Sequence, residues 1–265
     1  MGNEEVLVLN FVVRITALLT LVYSIAAPSF AQQRGGRGQA PPAAAAAPLE
    51  PAPRWPDGHV NLGSSSGKKG YWEVRPGLGG GPRAADVPFQ PWARALYQYR
   101  QSRTDLYPPL VNCKPGAGPS FFNAPGFEIV DVPDLKSIFI LNIAGPHSWR
   151  VIYMDGRPHP TGDDLRPTFL GHSVGHWEDE TLVIDTVGFN EKQWLGGAYP
   201  STEKLHMIEK ISRPNLKTLS YEYTVDDPGA YTGSWSGRWT ITDKTASSFI
   251  AGGELFEYIC QDSRF

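Results

Sequence analysis

The chain has 265 residues, a formal net charge of −3, 41% hydrophobic and 12% aromatic residues, 28 Gly and 24 Pro. Because there is no basic excess, the composition argues against nucleic acid or an anionic membrane surface as a partner. Walker, Rossmann, His-Glu-x-x-His and Gly-x-Ser-x-Gly motifs are missing from the sequence, so nucleotide cofactors, zinc hydrolysis and serine hydrolysis lack their usual marks.

Residues 1–31 are predicted to be a secretory signal peptide. The apolar run Ile15–Ala27 follows Arg14 and leads to the small residues Ser29 and Ala31, which suit a cleavage site. The run has 13 residues, whereas a membrane-spanning helix needs about 20. We therefore predict cleavage, no stable membrane insertion and a periplasmic or secreted protein. A retained anchor is the alternative.

Residues 32–53 form a Gly/Ala/Pro-rich segment, QQRGGRGQAPPAAAAAPLEPAP, with almost no side chains to bury. Such a composition predicts a disordered linker between the signal and the folded part. Residues 54–265 contain neither a second linker nor an internal repeat, so we predict one domain.

That domain is predicted to be all-β, because short alternating segments separated by turn residues fill most of the chain beyond Phe127. One short N-terminal helix is predicted over Trp92–Ser102. Nine strands joined mostly as a meander favour a single antiparallel, closed or nearly closed barrel. The predicted strands are Glu128–Val132, Lys136–Ile143, Trp149–Met154, Phe169–Trp177, Thr181–Phe189, Lys204–Ser212, Thr218–Asp226, Ser234–Thr242 and Ser247–Ile259.

Cys113 and Cys260 are the only cysteines in the sequence. In an exported protein a single pair predicts an intramolecular disulfide, which here closes a loop of more than 100 residues. A catalytic thiolate is the alternative, but neither cysteine has basic, His-bearing neighbours.

The segment Pro167–Asn190 contains two runs of β-branched and apolar residues around an acidic break, which predicts a hairpin. With Asp179 and Glu180 as the two-residue turn, opposed residues point to the same side of the sheet. One face then carries His172, Val174, His176, Val183, Asp185 and Val187, and the other carries Ser173, Trp177, Leu182 and Ile184.

The geometry of this hairpin favours a histidine–aspartate pair over a two-histidine metal site. His172 and His176 lie about 13 Å apart along an extended strand. Asp185 is a diagonal neighbour of both at about 7–8 Å between backbones, so its side chain can approach one of them. The alternative is that this face is exposed to solvent while Trp177 faces the core, and a register shift of one residue would exchange the faces.

The turn Met154–Pro160, MDGRPHP, combines Asp-Gly with two X-Pro bonds, which predicts a rigid conformation. The turn requires Asp155 but requires neither Arg157 nor His159. These two side chains are candidates to bind a carboxylate or phosphate of a ligand, and the alternative is that they face solvent.

In KLHMIEKISR, residues 204–213, the alternation places Glu209 within an apolar row. A buried carboxylate is costly unless it is paired or protonated. Glu209 is therefore either the partner of a buried arginine such as Arg150 or a general acid. His206 falls on the opposite face and is predicted at the surface. The adjacent Asp226 and Asp227 are a weak calcium signal, because no further oxygen ligands follow at loop spacing. We predict no metal site, and a metal bound through His159 or His172 with carboxylates is the alternative.

Taken together, several motifs resemble a large group of exported bacterial proteins of undescribed activity. They are RWPDGHVNL at Arg54, PWARALYQYRQ at Pro91, CKPGAG at Cys113, RVIYMDGRPHP at Arg150, GHSVGHWEDETLVIDTVGFN at Gly171, STEKLHMIEKISR at Ser201, DDPGAYTGSW at Asp226 and FEYIC at Phe256. The resemblance implies an exported, lipocalin-like barrel. His172, Trp177, Asp185, Asp155, Arg157 and His159 match the shared motifs. Where the family commonly has Gly-Asp and Arg, this chain has Asp179-Glu180 and His176.

We predict a cofactor-independent acid/base enzyme of the lyase, hydratase or isomerase type, acting on a small, partly apolar organic substrate in the barrel cavity. The candidate catalytic residues are His172, His176, Asp185 and Glu209. The candidate substrate-binding residues are Asp155, Arg157, His159 and Trp177. A non-catalytic carrier or sensor of a small hydrophobic ligand is the main alternative, and a filled barrel that serves as an interaction platform is a third.

Overall fold

The computed structural model describes residues 48–64, 70–103, 109–122, 126–143, 148–243, 255 and 259–260. The described residues belong to one compact unit, Pro48–Phe265. The predicted signal peptide and most of the predicted linker, residues 1–47, lie outside the described residues.

Nine strands and one α-helix make up the described part of the chain. In chain order they are β1 (Trp72–Gly80), α1 (Pro91–Ser102), β2 (Phe127–Val132), β3 (Ser137–Asn142), β4 (Trp149–Tyr153), β5 (His172–Glu178), β6 (Thr181–Val187), β7 (His206–Asn215), β8 (Thr218–Asp226) and β9 (Trp235–Asp243). The helix and strands β2 to β9 correspond to predicted elements, with boundaries that differ by a few residues.

The strands form a closed barrel in which each strand pairs with the next and β1 pairs with β9. The all-β barrel is therefore confirmed. The prediction of a purely antiparallel sheet is wrong at one place, because β4 and β5 pair in parallel. A parallel pair needs a crossover of about a dozen residues or more. The long connection 154–171 supplies it.

Strand β1 is the strand that the sequence did not predict. Its sequence, WEVRPGLGG, contains a proline and three glycines, which are residues typical of turns. The pairing of β1 with β9 shifts register between Val74 and Gly79, as expected where Pro and Gly interrupt a strand. The predicted strand Ser247–Ile259 lies outside the described residues, apart from Leu255 and Ile259.

The core lies inside the barrel and follows from the period-two alternation of each strand. In β8, for example, Leu219, Tyr221, Tyr223 and Val225 are all buried and alternate with more exposed residues. Tyr221 lies against Phe122, with ring centroids 4.5 Å apart. Large aromatic side chains thus occupy much of the described interior.

The predicted disulfide is confirmed. Cys113 and Cys260 are bonded, with Cα atoms 5.7 Å apart and a sequence separation of 147. Closing a loop of this length reduces the conformational entropy of the unfolded chain. In the chain-entropy model, this stabilises the folded state by about 5 kcal/mol.

Candidate functional site

The β5–β6 ribbon has the predicted register. His172 pairs with Val187, Val174 with Asp185, and the turn comprises Asp179 and Glu180. Asp179 has φ 52°, a left-handed conformation that aspartate tolerates better than most residues and that a two-residue hairpin turn requires.

The two faces of this ribbon lie in different environments. Ser173, Leu182, Ile184 and Thr186 are at most 1% exposed and point into the barrel. The alternate residues point outward, and of these His172, Val174, Asp185 and Val187 are half-buried, Val183 is buried and His176 is exposed. The prediction that the His172 face lines the barrel cavity is therefore wrong. Both faces are rich in apolar residues, so the pattern along the strand did not decide which one turns inward.

The inner face carries a buried polar cluster centred on Arg150 of β4, which we call the Arg150 network. Its guanidinium donates to both carboxylate oxygens of Glu209, to Ser173 Oγ at 3.0 Å and to Thr186 Oγ1 at 2.7 Å. Tyr221 completes the network by donating its hydroxyl to Glu209 Oε1 at 2.8 Å. Burial raises the pKa of the Tyr221 hydroxyl, and the neighbouring Glu209 carboxylate raises it further.

Glu209 therefore takes the first of its two predicted roles, as the partner of buried Arg150. Its side chain is 0% exposed and lies on the opposite side of the sheet from His172 and Asp185. The sequence argument that a carboxylate in an apolar row needs a cationic partner is confirmed. The prediction that Glu209 shares a cavity with His172 is wrong.

The turn after β4 is organised by Asp155. Its carboxylate accepts hydrogen bonds from the backbone N–H of Arg157 at 3.2 Å and from the Arg157 guanidinium. These bonds to Arg157 lower the pKa of Asp155 to about 2. Gly156 between them has φ +75°, a conformation that favours glycine. Arg157 lies over the Tyr153 ring, 4.0 Å from its centroid, and is exposed.

The turn after β4 also places His159 on the outer face of the β5–β6 ribbon. His159 Nδ1 lies 2.9 Å from His172 Nδ1, and His159 Nε2 lies 3.2 Å from Asp185 Oδ1. His206 of β7 approaches from the other side, with Nε2 2.8 Å from the same carboxylate oxygen. His172, His159, Asp185 and His206 thus form a continuous hydrogen-bonded series, which we call the outer histidine chain.

The protons of the outer histidine chain can be placed by elimination. An ionised carboxylate only accepts, so His159 and His206 each donate their Nε2–H to Asp185. A neutral His159 then accepts at Nδ1, and His172 donates its Nδ1–H there. The remaining ring nitrogen of His172, Nε2, is left with a free lone pair. His172 can therefore act as a base through this atom.

The surroundings of His172 favour the neutral imidazole. Burial lowers the pKa of His172 below its ordinary value of 6.5, and repulsion from His159 in its protonated form and from the Arg157 guanidinium lowers it further, while Asp155 acts in the opposite direction. Tyr153 stacks on the His172 ring, with centroids 5.2 Å apart and planes inclined by 27°. The base is thus held neutral and fixed in orientation.

Two predicted site residues lie apart from the outer histidine chain. His176 is on the same strand and face as His172, but its side chain is 62% exposed and its contact is with Glu178 at 3.4 Å. Trp177 points to the inner side of the ribbon and packs near the turn end of the barrel, with its ring 5.5 Å from that of His59. The structure gives neither residue a contact with His172.

The sequence analysis missed His206 and Tyr153 as members of this site. His206 was placed on the outer face, but its partner depends on the pairing of β7 with β6, in which Asp185 lies opposite Ile208. The connection 188–205 separates the two strands, so local patterns did not fix that register. Tyr153 was recognisable as an outward residue of β4, but its neighbour His172 follows from the parallel β4–β5 pairing.

Among the described residues, no group of three or more His, Cys, Asp or Glu side chains is arranged to hold a metal ion. A surface cavity of about 400 Å³ lies on β8 and β9, lined by Glu222, Tyr223, Thr224, Ser236, Gly237 and Arg238. It contains none of the residues of the outer histidine chain.

No family model, curated protein or solved structure gives a significant match to this chain. Within the described residues, the one α-helix is too short and too polar to cross a membrane.

Proposed function

We propose that this protein is an exported acid/base enzyme that moves a proton on a small, partly apolar organic substrate, with the outer histidine chain as its catalytic centre. The observation that carries the proposal is the pair of contacts made by His159, whose two ring nitrogens face His172 Nδ1 and Asp185 Oδ1. An imidazole that links a carboxylate to a second imidazole is an arrangement suited to proton transfer.

The proposed step begins at His172 Nε2, which removes a proton from a carbon or hydroxyl of the substrate. As Nε2 gains that proton, the Nδ1–H proton of His172 passes to His159 Nδ1. The positive charge then rests on His159, next to the Asp185 carboxylate at 3.2 Å, and His172 is neutral again. This placement is favourable because Asp185 contacts His159 directly, whereas the charges nearest His172 include Arg157.

His206 supplies a second group that can exchange protons. Its Nε2 is bonded to Asp185, which leaves Nδ1 as the nitrogen without a partner among the described residues. When His206 enters the step protonated, its Nδ1–H passes to the substrate and His206 is left as the neutral imidazole that still donates Nε2–H to Asp185. The removal of a proton by His172 and the return of a proton by His206 together describe an elimination, a hydration or an isomerisation. The reaction class therefore remains the one that the sequence favours, but at the outer wall of the barrel.

The wall around His172 and Asp185 suits a partly apolar substrate. Val174, Val187 and Ile208 share the outer face with these two residues and are half-buried. Tyr153 adds an aromatic ring beside His172. A substrate that rests on this surface can bury apolar area while one polar group reaches the imidazoles.

The carrier alternative requires an apolar hollow in the barrel. In the described interior, the Arg150 network occupies the space beneath the β5–β6 ribbon, and Phe122 packs against Tyr221 of that network. This filling of the interior supports the enzyme over the carrier. The disulfide between Cys113 and Cys260 supports export, because such bonds persist mainly in oxidising compartments.

The proposal is tested with nitrobenzisoxazole, a flat compound whose ring opens when a base removes its carbon-bound proton. We expect the wild-type protein to open the ring at least ~10²-fold faster than the same concentration of free imidazole. His172→Ala should return the rate to that of imidazole. His176→Ala is the matched control, because His176 lies on the same strand and face but outside the outer histidine chain.

The outcome that would overturn the proposal is equally definite. A wild-type rate equal to that of imidazole, or equal rates for wild type and His172→Ala, would remove His172 as the base. A loss of rate in His176→Ala as large as that in His172→Ala would show that the loss does not report on the outer histidine chain.

A further inference from the structure

Three strands carry members of both the Arg150 network and the outer histidine chain, and a fourth strand, β4, is connected to both. Strand β4 carries Arg150 and leads directly into the turn that holds His159. Strands β5, β6 and β7 each carry one member of each cluster, and the pairs are His172 with Ser173, Asp185 with Thr186, and His206 with Glu209. The outer and inner clusters are therefore built on opposite faces of the same stretch of sheet.

The register places the inner hydroxyl pair between the two outer groups. Ser173 and Thr186 face each other directly, with Oγ and Oγ1 3.0 Å apart. His172 precedes Ser173, and Asp185 precedes Thr186, so His172 and Asp185 are diagonal neighbours across this pair. Any change in the spacing of β5 and β6 at Ser173–Thr186 also changes the distance that His159 must bridge.

The seam between β4 and β5 is the weakest part of this arrangement. These strands pair in parallel, and the register contains only Ile152 with Ser173 and Tyr153 with Val174. Inside the barrel, the bond from Arg150 Nε to Ser173 Oγ crosses the seam. Outside it, the stacking of Tyr153 on His172 crosses the same seam. Arg150 therefore adds a polar link where the backbone ladder is short.

Stability alone is a poor explanation for the Arg150 network. Burying a charge pair costs desolvation free energy that the attraction often only balances, and apolar replacements of similar volume are frequently as stable. What such a network does supply is a fixed geometry, because every donor and acceptor must keep its partner.

We infer that the Arg150 network positions the outer histidine chain, with Ser173 and Thr186 as the positioning residues that transmit the geometry through the sheet. This inference rests on the proposed function for its catalytic meaning, but it predicts a structural coupling that exists whether or not the protein is an enzyme. Replacing Arg150 itself would leave Glu209 buried without a cation, so the informative substitutions are those of the hydroxyl residues.

The test compares Thr186→Val, which removes the hydroxyl and keeps a similar shape, with Thr186→Ser, which keeps the hydroxyl. The full-length protein is labelled with ¹⁵N in its histidines, and the ring-nitrogen signals of His172 and His159 are followed by NMR against pH. Thr224→Val is the control for the loss of a cross-strand hydroxyl contact elsewhere in the barrel, because Thr224 contacts Ser236 at 2.9 Å at the exposed surface of β8 and β9. Ser173→Ala removes the other hydroxyl of the Ser173–Thr186 pair and is therefore an independent test.

We expect Thr186→Val and Ser173→Ala to move the ring-nitrogen signals of both histidines and to raise the titration midpoint of His172 toward its ordinary value, because the ring becomes less buried. Thr186→Ser and Thr224→Val should leave these signals at their wild-type positions. Ring opening of nitrobenzisoxazole should fall by about 10²-fold in Thr186→Val, as expected for a misplaced catalytic group.

The inference is overturned if Thr186→Val and Ser173→Ala lower thermal stability but leave the signals of His172 and His159 unchanged. That result would make the Arg150 network purely structural. Failure of the proposed function gives a different result, since the wild-type protein would then show no ring opening while the NMR coupling between the two faces persisted.

Discussion

The sheet around the β5–β6 ribbon has a polar cluster on each face, and the two clusters differ in how far their polar atoms are paired. On the inner face, the polar atoms of Arg150, Ser173, Thr186 and Glu209 have partners within the described residues, and Arg150 and Glu209 are 3% and 0% exposed. On the outer face, His172 Nε2 and His206 Nδ1 have no partner among the described residues. A saturated cluster can hold geometry, whereas unused ring nitrogens can exchange protons with another molecule.

The largest expected effect is a loss of stability when one charge of the Arg150 network on the inner face is removed. Glu209→Ala leaves the Arg150 guanidinium buried without an anion, which we expect to lower the free energy of unfolding by about 3–5 kcal/mol. Urea titration followed by tryptophan fluorescence measures this change. The combined replacement Arg150→Met, Glu209→Leu and Tyr221→Phe removes the charges together and should recover most of the loss. A loss below about 1 kcal/mol in Glu209→Ala would contradict the interpretation of Arg150 and Glu209 as a buried ion pair.

Substitution on the outer face should reduce activity strongly and stability only slightly. Asp185→Asn removes the charge that His159 and His206 share, and we expect ring opening of nitrobenzisoxazole to fall by about 10²–10⁴-fold. The free energy of unfolding should change by less than about 1 kcal/mol, because the Asp185 side chain is 36% exposed and water can replace its contacts. A large loss of stability with retained activity would reverse the roles of the two faces.

The difference between the faces also explains what the sequence could predict. The hairpin register follows from local features, the alternation of residues and the Asp179–Glu180 turn, and it is confirmed. The Arg150–Glu209 pair follows from the cost of an unpaired buried carboxylate, which a single strand reveals. The inward face depends on how the barrel closes, and that is a property of all nine strands together.

The composition of the outer histidine chain was beyond local patterns for the same reason. His159, Asp185 and His206 come from a turn and two strands whose relative placement needs the parallel β4–β5 pair and the β6–β7 register. The sequence therefore indicated most of the chemically relevant residues but assigned Glu209 and His176 to the wrong group. The pairing of strands that are distant in sequence, more than residue type, determines which residues belong to the outer histidine chain.

A smaller effect is expected in the pH dependence of stability. The folded state lowers the pKa of His172 below 6.5, so between these two values the unfolded chain binds more protons than the folded one. The stability that the folded protein has with a neutral His172 is therefore fully present above pH 6.5. It is lost as the pH falls through the pKa that His172 has in the folded state. Urea midpoints measured from pH 7.5 down to 5 should decline less in His172→Gln than in wild type. Parallel curves for the two proteins would contradict this.

The smallest expected effect tests the charges nearest to the outer face. Asp155 raises the pKa of His172 and Arg157 lowers it, so neutralising each side chain should shift the His172 titration in opposite directions. Asp155→Asn should lower the midpoint, and Arg157→Gln should raise it, as followed by the ring-nitrogen NMR signals. Both groups are exposed, so high salt should weaken both shifts. Shifts of the same sign would mean that the substitutions act by displacing His159, because the turn that holds it depends on the same Asp155–Arg157 contact.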